Sequence, residues 1–532
     1  MPRILINEKD YTSAGTPDAY ANYAVLITGF AGSNLDTTKA DANGVYEFNS
    51  AQKFIDTIGL VAPEVGLGDG ISVIYHYGNQ MAYELLTLGY SVVYKPISSI
   101  SEMDNADFWE IFRDKASYDF RFISHGLLET NYNDERLEKV NEAIEELKRI
   151  YSEAEANAKD ATTNQDFEIV DWCEELYKEV KANFDGFKTV DEDGVETIYA
   201  TYSAAEAGTK AEYDKLTAGG GIALTTFNNI NGHIANLACY RTDSTEDIPG
   251  RGDCVALIEL DEKRYLNAAS NAKPENLIIS AIKEMSQINE DNGKYCALTV
   301  PSVYYTMTGN EKFANKVLDE NNKVPNKKFP GAFHYLACFM NSLQQGFNEW
   351  YAAAGYTRGV SSYVEDHTTV KLGEIAINAL EPRNLVDDQN KVQPKFACNV
   401  IASFRGSYYL WGNRTAHPLD KEGLVASHFL NIRQLCVTIK KQLYVACRRF
   451  TFDPNSDTLW VNFVNAIKPT LEAMKADQGI RDYKILKVYE ENPKKATLKA
   501  KIRIIPIEAV EDFDLEVSLE DSFGETAAVV TE

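Results

Sequence analysis

The apolar positions of this chain follow two rhythms. Continuous runs of strand length form the first. Tyr23-Ala24-Val25-Leu26-Ile27-Thr28 closes on Gly29, and Tyr90 to Pro96, Tyr118 to Ser124, Cys254 to Leu260 and Tyr295 to Val300 repeat the pattern. Runs this short, bounded by turn residues, suit strands covered on both faces. Helix-spaced segments form the second rhythm. Ser50 is placed to cap a helix through Phe54, Ile55 and Ile58 that stops at Gly59, and Asn79 to Leu88 reads as a helix ended by Gly89. Leu277, Ile278, Ala281, Ile282 and Met285 share one side of a helix over 274–287. Strands alternating with helices predict an α/β (α+β) chain built on a mixed, largely parallel sheet.

The C-terminal third is more helical. A helix over 331–348 opens it. In a long helix over 428–449, Phe429, Ile432, Cys436, Ile439, Leu443 and Ala446 form one face. A further helix runs from about Ser456 to Lys475. Two alternating strands follow, Leu498 to Ile504 and Asp514 to Glu520, the second with Leu515, Val517 and Leu519 on one face. A short alternating stretch, Arg3 to Asn7, lies at the other end of the chain, ahead of polar residues that read as an extended arm.

Residues 133–217 break the alternation. They carry acidic helical patterns (Leu137, Val140, Ile144, Leu147, then Ile169, Trp172, Leu176, Val180) and an acidic, turn-rich loop from Asp185 to Glu196. With 23 Asp or Glu against 10 Lys or Arg, the segment has a net charge of -13, half of the chain's -26. We read it as an outward-facing surface insertion. Helix 428–449 is the opposite: Arg433, Lys440, Lys441, Arg448 and Arg449 occupy it with no Asp or Glu.

Chemistry-bearing motifs are scarce. The overall acidity argues against a nucleic-acid surface, which needs clustered Lys and Arg. The first residues lack a signal-peptide apolar core, and no window reaches the length of a membrane span. The eight cysteines are scattered without a CxxC pair and read as buried free thiols. There is no P-loop, HExxH or GxSxG, and the seven histidines have no ligand-like spacing. Gly66-Leu67-Gly68-Asp69-Gly70 precedes a strand-like run and not a helix, so it reads as a loop. Arg251-Gly252-Asp253 reads as a turn into a buried strand. No cofactor or metal is expected.

Four segments, in order, resemble the signatures of contractile tail sheath proteins. Trp350-Tyr351-Ala352-Ala353-Ala354-Gly355-Tyr356-Thr357-Arg358-Gly359 is similar to the family's tryptophan–alanine–glycine segment, with Tyr351 as an extra residue. Trp411-Gly412-Asn413-Arg414-Thr415 resembles its WGxRT signature. Phe429-Leu430-Asn431-Ile432-Arg433-Gln434-Leu435 resembles its helix start. Phe452-Asp453-Pro454-Asn455 with Leu459-Trp460 resembles its FEPN…LW stretch, with Asp453 in place of Glu. Arg251-Gly252-Asp253-Cys254-Val255-Ala256-Leu257-Ile258 also resembles a strand of long phage sheaths, so the resemblance spans roughly 250–510, with weaker similarity over 20–125.

The resemblance implies a multidomain sheath-type fold. Its parts would be an arm (1–20), a core in two pieces (21–132 and 218–330) around the insertion, a C-terminal α/β domain nearest the tube (331–510), and a second arm (511–532). It implies no enzyme activity. It implies a subunit that polymerises helically around an inner tail tube, joins baseplate and tail terminator proteins, and contracts for genome delivery. Such a protein sits in the virion tail and assembles in the host cytoplasm, with no nucleic-acid partner and no membrane insertion. The terminal strands, through Ile4 and Ile6 and through Leu515, Val517 and Leu519, would add to a neighbour's sheet. The stripe Arg433, Lys440, Lys441 and Arg448 would face an acidic tube. Two other readings stand beside this one: the sheath of a headless contractile injection particle or bacteriocin, and an α/β enzyme whose site carries no recognisable motif.

Overall fold

In the computed structural model, the described residues are 23–32, 34–61, 64–66, 73–128, 187–190, 196–199, 224–240, 250–260, 282, 285, 287–299, 303–305, 327–361, 397–418, 424–488 and 497–509. The terminal arms, most of the acidic insertion and most of segment 274–287 lie outside them.

A six-stranded sheet organises the molecule. Its strands are β1 (Ala24–Phe30), β2 (Tyr46–Phe48), β3 (Ser91–Ile97), β4 (Phe122–Ser124), β5 (Val255–Glu259) and β6 (Cys296–Thr299), in the spatial order β6-β5-β4-β1-β3-β2. All neighbours pair in parallel except β2, which runs antiparallel to β3 at one edge. The continuous apolar runs predicted this, since a central parallel strand has no polar face. Strands from both sides of the insertion share the sheet, so the chain crosses segment 133–217 and returns to the same core.

Helices cover both faces. On one side, Ala24, Leu26, Ile123 and Ala256 pack with Ile230 and Ile234 of α3 (Leu224–Ala238). On the other, Val25, Ile27, Phe122 and Val255 pack with Met81 and Leu85 of α2 (Gly78–Leu88) and with Phe333 and Leu336 of α4 (Gly331–Gln344). A short helix, α1 (Ala51–Thr57), precedes α2; Ser50 stands at its N-cap but makes no side-chain capping bond. Gly89 ends α2 at φ 100°, a left-handed conformation that glycine adopts without strain. The core is continuous across position 330, because α4 packs on the sheet and not apart from it.

The last part of the chain builds a satellite layer. Helix α5 (Leu430–Arg449) packs against α6 (Asp457–Ala476) and against a two-stranded antiparallel sheet, β9 (Ile480–Lys487) with β10 (Ala500–Pro506). Ser456 caps α6 by accepting a hydrogen bond from Leu459 N at 3.3 Å. Leu459, Phe463, Ile467, Leu471 and Met474 form its buried stripe, each worth about 1.5–3 kcal/mol when fully covered. A hairpin, β7 (Val400–Phe404) with β8 (Ser407–Trp411), turns at Arg405 and Gly406, both at positive φ. One expectation changes. Part of the acidic loop 185–196 is strand: Phe187–Val190 pairs antiparallel with Glu196–Tyr199. The β-branched residues Thr189, Val190, Thr197 and Ile198 flank Asp193-Gly194, a turn signal that favours a hairpin. Strand β9 escaped prediction because its alternation is diluted by the charges Arg481, Asp482 and Lys484.

Candidate functional site

The residues that carry the family resemblance form a scaffold where three elements meet. Helix α5 starts buried, with backbone donors that have no intrahelical acceptor and no side-chain cap of its own. Asn413 supplies the missing acceptors: Leu430 N donates to its carbonyl at 2.9 Å and Asn431 N to its Oδ1 at 3.0 Å. Gly412 precedes it at φ 155°, where a side chain would sit 2.9 Å from Asn399 Cα. Arg414 lays its guanidinium on the Phe429 ring at 4.6 Å, and Thr415 Oγ1 donates to Ser427 O at 2.8 Å. The segment thus fixes where α5 begins.

Trp350 and its neighbours fix the other side. Trp350 packs with Leu435, Ile439, Met474, Ile480 and Ile504, and its Nε1 donates to Asp477 O at 3.2 Å. Gly355, at φ 81°, starts a single helical turn that ends at Gly359. Gly359 O accepts from Leu410 N of β8 at 2.6 Å. Arg358 Nε donates to Ala352 O at 2.7 Å and stacks over Phe347. Trp411 joins Phe404 and the exposed Tyr356 in an aromatic cluster. Pro454 and Asn455 lie exposed in the α5–α6 turn, and Trp460 packs beside Phe463. Phe452, in the same turn, is 88 % exposed at φ 78°.

The cationic stripe of α5 is where the structure departs from expectation. Arg433, Lys440 and Lys441 are only 2 %, 7 % and 6 % exposed. Arg433 and Lys440 rest on the Tyr295 ring at 4.6 and 5.0 Å. Lys441 bonds Asp119 and lies 3.9 Å from Asp253. These three therefore face the sheet, not the outside. A cation beside an apolar face has a stem that buries easily, and the aromatic and carboxylate groups that receive it come from distant segments. Arg448 alone of the four is exposed, next to Arg449.

Two fully buried arginines complete this polar seam between α5 and the sheet. Arg121 donates to Gln434 Oε1, Gln434 O and Thr438 Oγ1, each at 2.8 Å. Its other end lies 3.9 Å from Glu349, which accepts a hydrogen bond from Tyr23 at 3.1 Å. Arg251 pairs with Asp253 at 3.0 Å and donates to Phe112 O and Tyr118 O, both at 2.8 Å. Burial would raise the Asp253 pKa, but Arg251, Lys441 and Lys115 outweigh it and hold the carboxyl down to about 2. Arg251-Gly252-Asp253 is thus a buried strut at the turn into β5, the turn being what its place before an apolar strand predicted. Sequence reasoning missed Arg121 as an anchor; its position between Phe120 and Phe122 was the available signal.

The β9–β10 pair offers a different kind of site. Each strand has one edge with no strand beside it among the described residues. Ile502 and Ile504 point toward α5 and α6, while Leu486, Ile505 and Ile507 are exposed. The arm residues Ile4, Ile6, Leu515, Val517 and Leu519 lie outside the described residues. Among the described residues, seven cysteines are free thiols, with burial pushing Cys254 and Cys338 up to about 12, and no group of side chains could hold a metal ion. No helix among them is long and apolar enough to cross a membrane.

No family model and no curated protein matches this sequence. Solved structures do. The chain is similar to one in the sixfold-symmetrised cryo-EM structure of the anti-feeding prophage baseplate, with a TM-score of 0.51 and 12 % identity, over 98 % of this chain and 99 % of that one. It also aligns, at a TM-score of 0.49 and 11 % identity, with a chain of the contracted sheath complex of the PVC extracellular contractile injection system, over 98 % of both; at that score the second alignment adds no weight. The chain therefore shares its fold with a component of the anti-feeding prophage baseplate structure, in keeping with the sheath-type architecture its sequence signatures imply.

Proposed function

We propose that this protein is a structural subunit of a contractile sheath, polymerising as a helical array around an inner tube and contracting to drive that tube forward. The observation that carries the reading is the β9–β10 pair, a two-stranded sheet whose outer edges have no strand beside them among the described residues, on a chain whose fold matches a component of the anti-feeding prophage baseplate structure. Such edges accept strands by main-chain hydrogen bonding, and the alternating segments 3–7 and 514–520 are the strands on offer. Exchange between copies gives heterologous contacts that propagate without closing. The subunit is structural and not catalytic, and needs no cofactor. Contraction would draw its energy from new interfaces formed between neighbouring bodies. Its partners would be the tube, a baseplate and a terminator.

Deleting residues 1–12 tests this. The variant should stay folded and monomeric while the full chain forms striated tubes in the electron microscope. Tubes formed by the truncated chain would refute the arm assignment, and small discrete particles from the full chain would favour an enzyme. Arg448 and Arg449 are the cations left to meet an acidic tube. A tail sheath delivering a genome is one version of this function. Similarity to the anti-feeding prophage favours a second, a headless injection particle assembled in the bacterial cytoplasm. Nucleic acid inside purified particles separates the two.

A further inference from the structure

Two partners lay claim to the buried guanidinium of Arg121. Its Nε and one terminal nitrogen are committed to α5, through Gln434 Oε1, Gln434 O and Thr438 Oγ1 at 2.8 Å each. Its other terminal nitrogen lies 3.9 Å from Glu349 Oε1, close enough for charge attraction and too far for a hydrogen bond. Glu349 is itself only 7 % exposed. Its hydrogen-bond donor among the described residues is Tyr23, whose hydroxyl reaches that same oxygen at 3.1 Å. One carboxylate oxygen is therefore shared by a tyrosine from the start of the chain and an arginine that holds α5. The Phe339 ring of α4 lies against both: Tyr23 meets it edge-on at 6.3 Å, and Arg121 stacks over it at 5.7 Å.

Tyr23 is also where a load on the preceding chain falls first. From Ala24 onward the backbone is locked into the centre of the sheet, paired in parallel with β3 and β4. Ala24 O accepts from Arg121 N at 2.8 Å. Tyr23 stands just ahead of that ladder and is half-buried. Drawing it outward removes the hydrogen-bond donor from a buried carboxylate, which is costly. The nearest replacement is the Arg121 nitrogen already facing it. Closing 3.9 Å to a charge-assisted hydrogen bond moves the guanidinium by about 1 Å. That shift carries its far edge beyond hydrogen-bond reach of Gln434 and Thr438. A carboxylate wins the competition, because its bond to a guanidinium is roughly twice as strong as one from an amide or hydroxyl oxygen.

We propose that Tyr23, Glu349 and Arg121 form a latch between the N-terminal segment and α5. A pull on the chain ahead of Tyr23 withdraws its hydroxyl, Glu349 recruits Arg121, and α5 is released at Gln434 and Thr438. The released helix is the one that ends in Arg448 and Arg449. The latch is a property of one folded body; only the source of the pull rests on the strand-exchange reading above.

Hydrogen exchange on the free full-length subunit tests it, reading the α5 amides around Gln434 and Thr438 against those of α3 on the other side of the sheet. Tyr23→Phe keeps the ring on Phe339 and removes the hydroxyl. It should speed exchange in α5 about tenfold and leave α3 unchanged. Adding Glu349→Gln removes the charge that draws Arg121, so the double variant should return to the wild-type rate. A hydrogen bond with a merely structural role gives the opposite order, with the double variant at least as fast as the single. Unchanged α5 exchange in Tyr23→Phe, no recovery in the double variant, or equal acceleration of α5 and α3 overturns the latch. In assembled tubes, α5 of the wild type should exchange faster than α5 of Glu349→Gln, and equal rates overturn the pull. A full chain that forms no tubes overturns the strand-exchange reading instead, and the free-subunit rates still decide the latch.

Discussion

Replacing Arg251 with Met keeps an apolar stem of similar length and removes the guanidinium. Three groups lose their donor: Phe112 O, Tyr118 O and the Asp253 carboxylate. Each buried carbonyl left unsatisfied costs about 1–3 kcal/mol. Asp253 keeps Lys441 at 3.9 Å but loses its bidentate partner. Stranding one member of a buried pair costs about 3–5 kcal/mol, and these terms overlap. The expected loss is therefore about 4 kcal/mol, a large share of a domain's stability. Urea unfolding followed by tryptophan fluorescence measures it. The double substitution Arg251→Met with Asp253→Leu should cost less than Arg251→Met alone, because Asp119 still pairs Lys441 and no carboxylate is stranded. A single-variant loss below about 1 kcal/mol, or a double variant no better than the single, would refute the strut assignment.

Three further outcomes follow from the same structure. Burial holds His76 and His334 down to about 3 and His125 to about 4. The folded state stays neutral while the unfolded chain takes up protons below about pH 6.5, so stability present above that pH is lost as pH falls toward 4; at pH 5.5 the three cost about 4 kcal/mol together, and a urea midpoint equal at pH 7.5 and 5.5 would contradict this. Gly359→Ala places a carbon 2.6 Å from both Gly355 N and Leu410 O, which should lower stability by about 2–3 kcal/mol. Gly346→Ala, with open space but φ 89°, should lose only about 1 kcal/mol; thermal unfolding ranks the two, and equal losses would sink the contact argument. Arg448→Glu with Arg449→Glu should weaken assembly on a purified tube without moving the urea midpoint, whereas Lys441→Met should move the midpoint; the reverse pattern would return the buried cation to the surface.

The parallel sheet was legible because doubly covered strands leave unbroken apolar runs, as in Ala24 to Ile27 and Val255 to Ile258. Helices α2 and α6 were legible through Gly89 and Ser456. The hairpin β7–β8 carries no clean alternation in the sequence, since Tyr408, Tyr409 and Trp411 are bulky on both faces. The roles of the motif residues were hidden, because a cap such as Asn413 acts on α5 from a separate strand end. The cations of α5 were misplaced for a related reason. Periodicity locates a residue on a helix but not the group that meets it, and here Tyr295, Asp119 and Asp253 come from the segments leading into β6, β4 and β5.

The polar seam between α5 and the sheet has a mechanical consequence. Apolar contacts let a helix slide by small steps, whereas Arg121 holds two side chains and a carbonyl in fixed directions. The body should therefore behave as a stiff block, leaving compliance to the chain between blocks. In an arm-linked array, residues 8–22 would be one such tether. At roughly 3.6 Å per extended residue, it reaches no more than roughly 54 Å. The tether, not the folded body, then sets how far neighbouring blocks travel before the chain is taut.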